Sequence, residues 1–309
     1  MAKKRSRMPH KNKSSNTTLY VFVIVVLFAM ACLNGRFAQL EQGHFADVDA
    51  DFQVHVIDVG QADSILVIAD GEAMLIDAAE SSDAGIIRSY LKNCGITKLT
   101  YAAATHMHND HIGGFYGVLS AIPAETVLEP VYADSLVPTT RIYERYLDAA
   151  DNCGAELHAA KAGETFALGD AKITVLGPVS ENTQDLNNTS LVLRVDYGNA
   201  SCLFTGDMET SEEMELLQSG AKLNVDFLKV GHHGADTSSG KSFLSAVTPQ
   251  YAVISCGKDN DYGHPAQSTL DKLSAFTNKI YITAEEGSVV FSYDKESDTC
   301  KILTERSAE

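Results

Sequence analysis

The 309-residue chain has no Cys-x-x-Cys pair. Its six cysteines (Cys32, Cys94, Cys153, Cys202, Cys256 and Cys300) are scattered, which leaves a zinc ribbon unsupported. No repeat of fixed period is visible, and no low-complexity segment beyond a basic start, so nothing points to a solenoid or a biased tail. An apolar run of membrane-spanning length is also missing. The stretch from Leu19 to Leu33 is fifteen residues, and at about 1.5 Å per residue it falls short of the roughly 30 Å hydrocarbon core. Basic residues are few: 24 Lys and Arg stand against 41 Asp and Glu, for a net charge of −17. An acidic surface repels a long polyanion, which weighs against non-specific nucleic-acid binding without excluding a local basic groove.

The basic residues that are present are concentrated. Lys3, Lys4, Arg5, Arg7, Lys11 and Lys13 precede the apolar run, an arrangement of exported chains. Ala29-Met30-Ala31 has the small-x-small pattern of a cleavage site, and Cys32 follows where a lipid could attach, although Ala29 stands where such signals carry leucine. Residues 1–33 are therefore expected to be a signal peptide or N-terminal membrane anchor, 34–50 a linker, and 51–309 one globular domain on the outer face of the membrane or secreted. Cys94 and Cys153, both in Asn-Cys-Gly turns, are a conceivable disulfide there.

From Phe52 the pattern alternates short β-like runs with helical stretches. Strands are expected at 52–58, 64–69, 73–77 and 98–105, and helices at 83–93 and 113–122. A mixed middle with a helix at 139–152 follows. The second half predicts a hairpin of 190–197 with 201–206 joined at Gly198-Asn199. Strands at 226–230 and 251–255, helices at 211–218, 240–246 and 267–276, and terminal strands complete it. Two β-rich halves with interspersed helices predict an α/β fold of two sheets face to face with helices outside.

The densest chemistry is Thr105-His106-Met107-His108-Asn109-Asp110-His111, followed by Gly113-Gly114. Imidazole and carboxylate suit zinc, manganese or iron, and histidines two apart converge on one ion from an extended or looped backbone, as His106 and His108 would. Asp110 and His111 are offset and can face a second ion about 3.5–4 Å away. A bridging carboxylate is then required. Thr205-Gly206-Asp207 offers Asp207 at the end of an apolar strand, although such a triplet is by itself more often a turn. Gly231-His232-His233-Gly234 offers a late imidazole, either His232 or His233, with the other facing substrate. His264, before Pro265, could be a ligand, a donor to substrate phosphate, a general acid or a turn cap.

His-x-His-x-Asp-His with Gly-Gly, then Thr-Gly-Asp, then a late histidine, resembles the metallo-β-lactamase superfamily. The stretches His55–Val67 (including Gly60-Gln61-Ala62-Asp63-Ser64), Asn187–Val195, Leu228–Gly234 and Tyr262–Pro265 resemble more narrowly the extracytoplasmic domain of ComEC-type DNA-uptake proteins and its stand-alone relatives, which include a choline-binding phosphorylcholine esterase. The resemblance implies a four-layer αββα sandwich. It implies two divalent metal ions, zinc with manganese as the alternative, one on His106 and His108, the other on Asp110 and His111, with Asp207 bridging. The late ligand is then His233, with His232 as alternative, and His264 faces substrate.

Two departures stand out. Asn188 or Ser190 occupies the place where many superfamily hydrolases carry a third histidine for the first metal, so these two are expected at the substrate. Ala62 replaces a glycine of the relatives' motif, which is tolerable unless the backbone there needs positive φ. All three first-motif histidines are retained, which favours an active enzyme. No polytopic channel accompanies the domain, so the chain is expected not to be the uptake channel.

The expected reaction is hydrolysis by a hydroxide shared between two metals. The substrate is expected to be a phosphodiester, whether small-molecule, cell-wall or nucleic-acid, with Asp110 orienting the nucleophile and His264 or His232 steadying a phosphate oxygen. A β-lactamase or lactonase, or an inactive exported metal-binding protein of the same fold, are the alternatives. No protein partner is indicated.

Overall fold

A computed structural model describes residue 48 and residues 50–180 and 183–306. The expectations for 1–33 and for most of 34–50 lie outside the described residues. From residue 48 on, the described residues fall in one compact unit, His44–Glu309. No helix among the described residues is long and apolar enough to cross a membrane.

The strands are β1 (Phe52–Val56), β2 (Ile65–Ala69), β3 (Glu72–Ile76), β4 (Leu99–Ala103), β5 (Ala124–Pro130), β6 (Glu156–Ala160), β7 (Thr165–Leu168) and β8 (Ala171–Gly177). They continue with β9 (Val192–Tyr197), β10 (Ala200–Phe204), β11 (Phe227–Lys229), β12 (Tyr251–Ile254), β13 (Ile280–Ile282), β14 (Val289–Asp294) and β15 (Thr299–Thr304). One sheet runs β15-β14-β1-β2-β3-β4-β5-β6 and the other β13-β12-β11-β10-β9-β8-β7. The first is antiparallel from β15 to β3 and parallel from β3 to β6. In the second, β10 to β13 are parallel and β7 to β10 antiparallel.

Both faces of each sheet are covered, which is why central strands read as continuous apolar runs. In β1 every residue is buried. Phe52, Val54 and Val56 face the layer between the sheets, where they meet Leu193, Val195, Phe204, Phe227 and Phe291. Leu66 and Leu75 of the next strands face outward, under the helices Ala84–Asn93, Phe115–Leu119 and Arg141–Cys153. The second sheet's outer face is covered by helices Thr210–Ser219, Lys241–Val247 and Gln267–Ser274. This is the αββα sandwich the sequence leads one to expect.

Two expectations are corrected. The helix expected at 113–122 is shortened to Phe115–Leu119, and a separate short helix, Asn109–Ile112, precedes it. The break falls at Gly114, whose N–H donates to Ala79 O (3.0 Å) instead of continuing the helical ladder, and whose Cβ, if it had one, would collide with the Ala78 carbonyl. Cys94 and Cys153 are free thiols and form no disulfide. Ala62 lies outside the positive-φ positions, so its methyl group costs no backbone strain.

Candidate metal centre

Five loops that leave the carboxyl ends of strands converge at one edge of the sandwich, the place where open α/β sheets carry ligands. Asp77 follows β3, Thr105 to His111 follow β4, Asp207 follows β10, His232 and His233 follow β11, and Ser255 follows β12. Four of the residues here have left-handed backbone: Asp77 (φ 57°), Ala79 (φ 53°), His232 (φ 47°) and His233 (φ 51°). Non-glycine residues hold such angles at a cost of about 1–3 kcal/mol each, and they cluster at functional sites.

Asp110, His111, Asp207 and His233 present ligand atoms that all lie within 4.8 Å of one another. Asp207 Oδ2 is the hub. It stands 3.3 Å from His111 Nε2, 3.7 Å from His233 Nε2, 3.8 Å from His232 Nε2 and 3.9 Å from His106 Nε2. His106 Nε2 and His108 Nδ1 lie 2.9 Å apart. Asp110 Oδ2 lies 3.3 Å from His233 Nε2 and 3.8 Å from His111 Nε2.

The donor set fits a pair of divalent cations. Buried polar groups ordinarily have partners, yet His111 Nε2 and Asp207 Oδ1 are buried with no hydrogen-bond partner among the described residues. Both belong to this cluster. Its imidazole and carboxylate donors suit zinc or manganese.

The surrounding shell holds these rings by their other nitrogens, as metal-ligating imidazoles require. His111 Nδ1–H donates to Asp77 Oδ2 (2.7 Å), and Asp77 also accepts from Thr105 N–H (2.8 Å) and Oγ1–H (2.7 Å). His233 Nδ1–H donates to Ser255 O (3.0 Å) and lies 3.5 Å from Asp63 Oδ1. Asp63 Oδ2 accepts from Lys229 Nζ at 2.7 Å, and both side chains are completely buried. Gly206, at φ 50°, packs where a Cβ would lie 2.8 Å from Ser190 Oγ and from Thr105 Cβ, so the turn before Asp207 is set against both neighbouring loops. No role is assigned to Asp63, Asp77 or Lys229 from the sequence alone. The available signal was a carboxylate closing an apolar run at Asp77, and the Asp63 of the quoted Gly-Gln-Ala-Asp-Ser stretch.

The other sequence candidates divide. His232 and His264 line a cavity of about 510 Å³ over the cluster, together with Gln61, Glu80, Asn187 and Tyr262. His232 is outside the four-residue cluster that contains His233. Asn188 and Ser190 are not at the cavity. Both are buried, Asn188 Oδ1 accepting from Glu209 N–H (3.2 Å) and Ser190 Oγ from Asp207 N–H (3.0 Å), so they brace the Asp207 loop from behind and Asn187 reaches the cavity instead. The reason is the 3₁₀ turn Asn187–Thr189, which rotates successive side chains to different sides.

Without metal the cluster stores protons. Burial alone would lower both imidazoles, but Asp207 and Asp77 lift His111 well above the usual range, and Asp207, Asp110 and Asp63 lift His233 to about 10. Burial, reinforced by His111, pushes His106 well below its ordinary value. Burial disfavours the Asp110 carboxylate, but the His233 hydrogen bond and His111 outweigh it and hold Asp110 at about 2. Folded-state values above the unfolded 6.5 mean that the stabilisation from His111 and His233 is fully present below pH 6.5 and is lost as pH rises through about 10 for His233. The metal-free chain is thus expected to melt at progressively lower temperature from pH 7 to 10. A metal-loaded chain, whose ligating imidazoles are already neutral, should not share that decline. Thermal melts with and without chelator check this, and a metal-free melting temperature that climbs over the same window would contradict the assignment.

The family model of the Metallo-beta-lactamase superfamily matches residues 57–258. The chain is 29% identical over 280 residues to ComE operon protein 3 of Bacillus subtilis, covering 82% of this chain and 35% of that protein. It is 32% identical over 244 residues to Competence protein ComA of Neisseria gonorrhoeae, covering 77% of this chain and 32% of that protein. It therefore spans about a third of the length of these curated relatives. Among solved structures, CmlA, a diiron beta-hydroxylase from Streptomyces venezuelae, superposes with a TM-score of 0.53 at 14% identity, covering 83% of this chain and 55% of that chain. That likeness concerns the fold alone.

Proposed function

The chain belongs to the metallo-β-lactamase superfamily, and from that premise we propose that it is a metal-dependent phosphodiesterase acting outside the cytoplasmic membrane. The observation that carries the reading is the convergence of Asp110, His111, Asp207 and His233 beneath an open cavity, with His106 and His108 beside them. Held by these six side chains, two divalent ions, zinc or manganese, would lower the pKa of a water towards 7 and neutralise charge on an attacked phosphoryl oxygen.

The chain's own groups account for the rest. Asp110, anchored at 3.3 Å by His233, orients the attacking water. Attack at phosphorus forms a new P–O bond and the ester P–O bond breaks; the proton that the attacking water loses ends on the departing alkoxide, which leaves as the alcohol. His264 or His232, at the cavity wall, holds a phosphate oxygen. The phosphodiester assignment is supported by the three first-motif histidines with Asp110, Asp207 and His233, and by likeness to competence proteins. The acidic balance of the chain favours a small or cell-wall substrate, and that likeness favours nucleic acid. The location outside the membrane is supported by the basic prefix and apolar run at the N-terminus.

The purified chain, titrated with zinc and manganese, is expected to hydrolyse bis-p-nitrophenyl phosphate in proportion to bound metal. Comparison with single-stranded DNA and phosphorylcholine esters ranks the substrates. Rapid turnover of nitrocefin with none of the phosphodiesters would move the protein to the lactamase or lactonase class. Two bound metals with no turnover of any ester would make it a binding protein.

A further inference from the structure

Two cavity histidines, His232 and His264, stand outside the metal ligand set, and their neighbours determine where each carries its proton. At His232, Nδ1 is hydrogen-bonded to Thr237 Oγ1 (3.3 Å) and lies 3.1 Å from Glu209 Oε1. The single hydroxyl hydrogen of Thr237 is already given to Glu209 Oε1 (2.8 Å), so towards His232 that oxygen can only accept. Both neighbours of Nδ1 are acceptors, and Nδ1 must carry the hydrogen. Nε2, 3.8 Å from Asp207 Oδ2, is then a bare lone pair at the cavity.

At His264 the logic is reversed. Gln61 Oε1 accepts from Gly257 N–H (3.0 Å), a place an amide nitrogen could not fill, so Gln61 Nε2 is the group that faces His264 Nδ1 (3.3 Å). An amide NH₂ only donates. Nδ1 of His264 is therefore the acceptor, and the hydrogen sits on Nε2.

We infer that the cavity is built with its two free histidines in opposite tautomers, His232 as Nδ1–H set by Glu209 and Thr237, and His264 as Nε2–H set by Gln61. The cavity thereby offers one fixed acceptor and one fixed donor. Resting on the phosphodiesterase reading, this divides the work left open there. His264 donates to a phosphate oxygen, and His232 accepts from water or a substrate hydroxyl beside Asp207. Glu209 and Gln61 are positioning residues, acting through the rings they orient.

Both anchors are themselves held. Glu209 N–H donates to Asn188 Oδ1 (3.2 Å), and Thr210 N–H and Oγ1–H both donate to Thr237 O (3.0 and 2.7 Å), which ties the two loops together. Asn260 fixes the His264 loop, its Oδ1 accepting from the N–H of Tyr262 (3.1 Å) and of His264 (3.0 Å) and its Nδ2 donating to His264 O (2.6 Å).

Two-bond ¹⁵N–¹H correlation spectra of the ¹⁵N-histidine-labelled full chain, metal-free and zinc-loaded, at a pH where the rings are neutral, read both tautomers directly and need no substrate. The expected result is Nδ1–H for His232 and Nε2–H for His264. Gln61→Glu puts an acceptor opposite His264 Nδ1 and is expected to flip that ring alone to Nδ1–H. Glu209→Ala is expected to release His232 alone towards Nε2–H. In each variant kcat should fall about 10–100-fold with KM within about twofold and two metals still bound. The same tautomer on both rings, or tautomers that ignore these substitutions, would overturn the inference. If Glu209→Ala does not fold, Glu209→Gln and the Gln61 variant carry the same readout. Loss of the phosphodiesterase reading would leave the spectra unchanged, so the two failures are distinguishable.

Discussion

Asp207→Ala is expected to lower phosphodiester turnover by about 10³-fold or more, the equivalent of several kcal/mol of charge stabilisation. The reason is geometric. One oxygen of this carboxylate lies between 3.3 and 3.9 Å from the Nε2 atoms of four imidazoles, His111, His233, His232 and His106. No neighbour can replace it. Among the described residues Asp110 reaches only the imidazoles of His111 and His233, and Asp77 is committed to His111 Nδ1 and Thr105. Without Asp207 the two halves of the ligand set lose their common member, and bound metal should fall below two per chain. Elemental analysis beside kcat, on protein with an unchanged circular dichroism spectrum, separates loss of chemistry from loss of fold. Undiminished phosphodiester hydrolysis by such a protein would sink the proposed function.

Lys229→Met is expected to be the most damaging single substitution for stability outside the apolar core. Lys229 Nζ lies 2.7 Å from Asp63 Oδ2, and Lys229 and Asp63 are 0% and 1% exposed. Lys229 also donates to Val230 O (3.1 Å). Breaking a buried ion pair from one side leaves an uncompensated charge and costs roughly 3–5 kcal/mol. Here the abandoned Asp63 would be left with His233 Nδ1, 3.5 Å away, as its nearest cationic neighbour, so the damage reaches a candidate metal ligand. Lys229→Met combined with Asp63→Asn removes both charges and should recover much of the loss. Urea unfolding of the single and double variants measures this coupling. A single-variant loss under about 1 kcal/mol, or simple additivity, would show that the pair does not hold Asp63 in place.

The legible parts of this molecule were those in which the signal is local. Central strands such as β1 and β10 announce themselves because both faces are covered, and the hairpin β9–β10 because Gly198-Asn199 marks its turn. The strands β6, β7 and β8 stayed hidden in the mixed middle, where β6 and β7 are sheet edges and largely exposed, so their apolar pattern is diluted. Spacing alone brought out His106, His108, Asp110 and His111. It could not bring out Asp63, whose partner Lys229 is 166 residues away and reads in sequence as one more strand residue. Of the Asn-Asn-Thr-Ser stretch, Asn188 and Ser190 were expected at the substrate, whereas Asn187 lines the cavity and those two lie behind the Asp207 loop. Which side chains of the stretch face the cavity is decided by the pitch of a single 3₁₀ turn, and no residue pattern encodes that.

The candidate ligands are split between the two sheets: His106 to His111 depend on β4 of one, Asp207 and His233 on β10 and β11 of the other. The metal pair would therefore sit on a seam and act as a clasp. Neither half of the chain can close it alone. A shift of one sheet against the other by a fraction of an ångström, from a change as remote as the Phe227–Phe291 ring contact, would register first as weaker metal affinity. Metal affinity in this protein should serve as a ruler of how well the two sheets are docked.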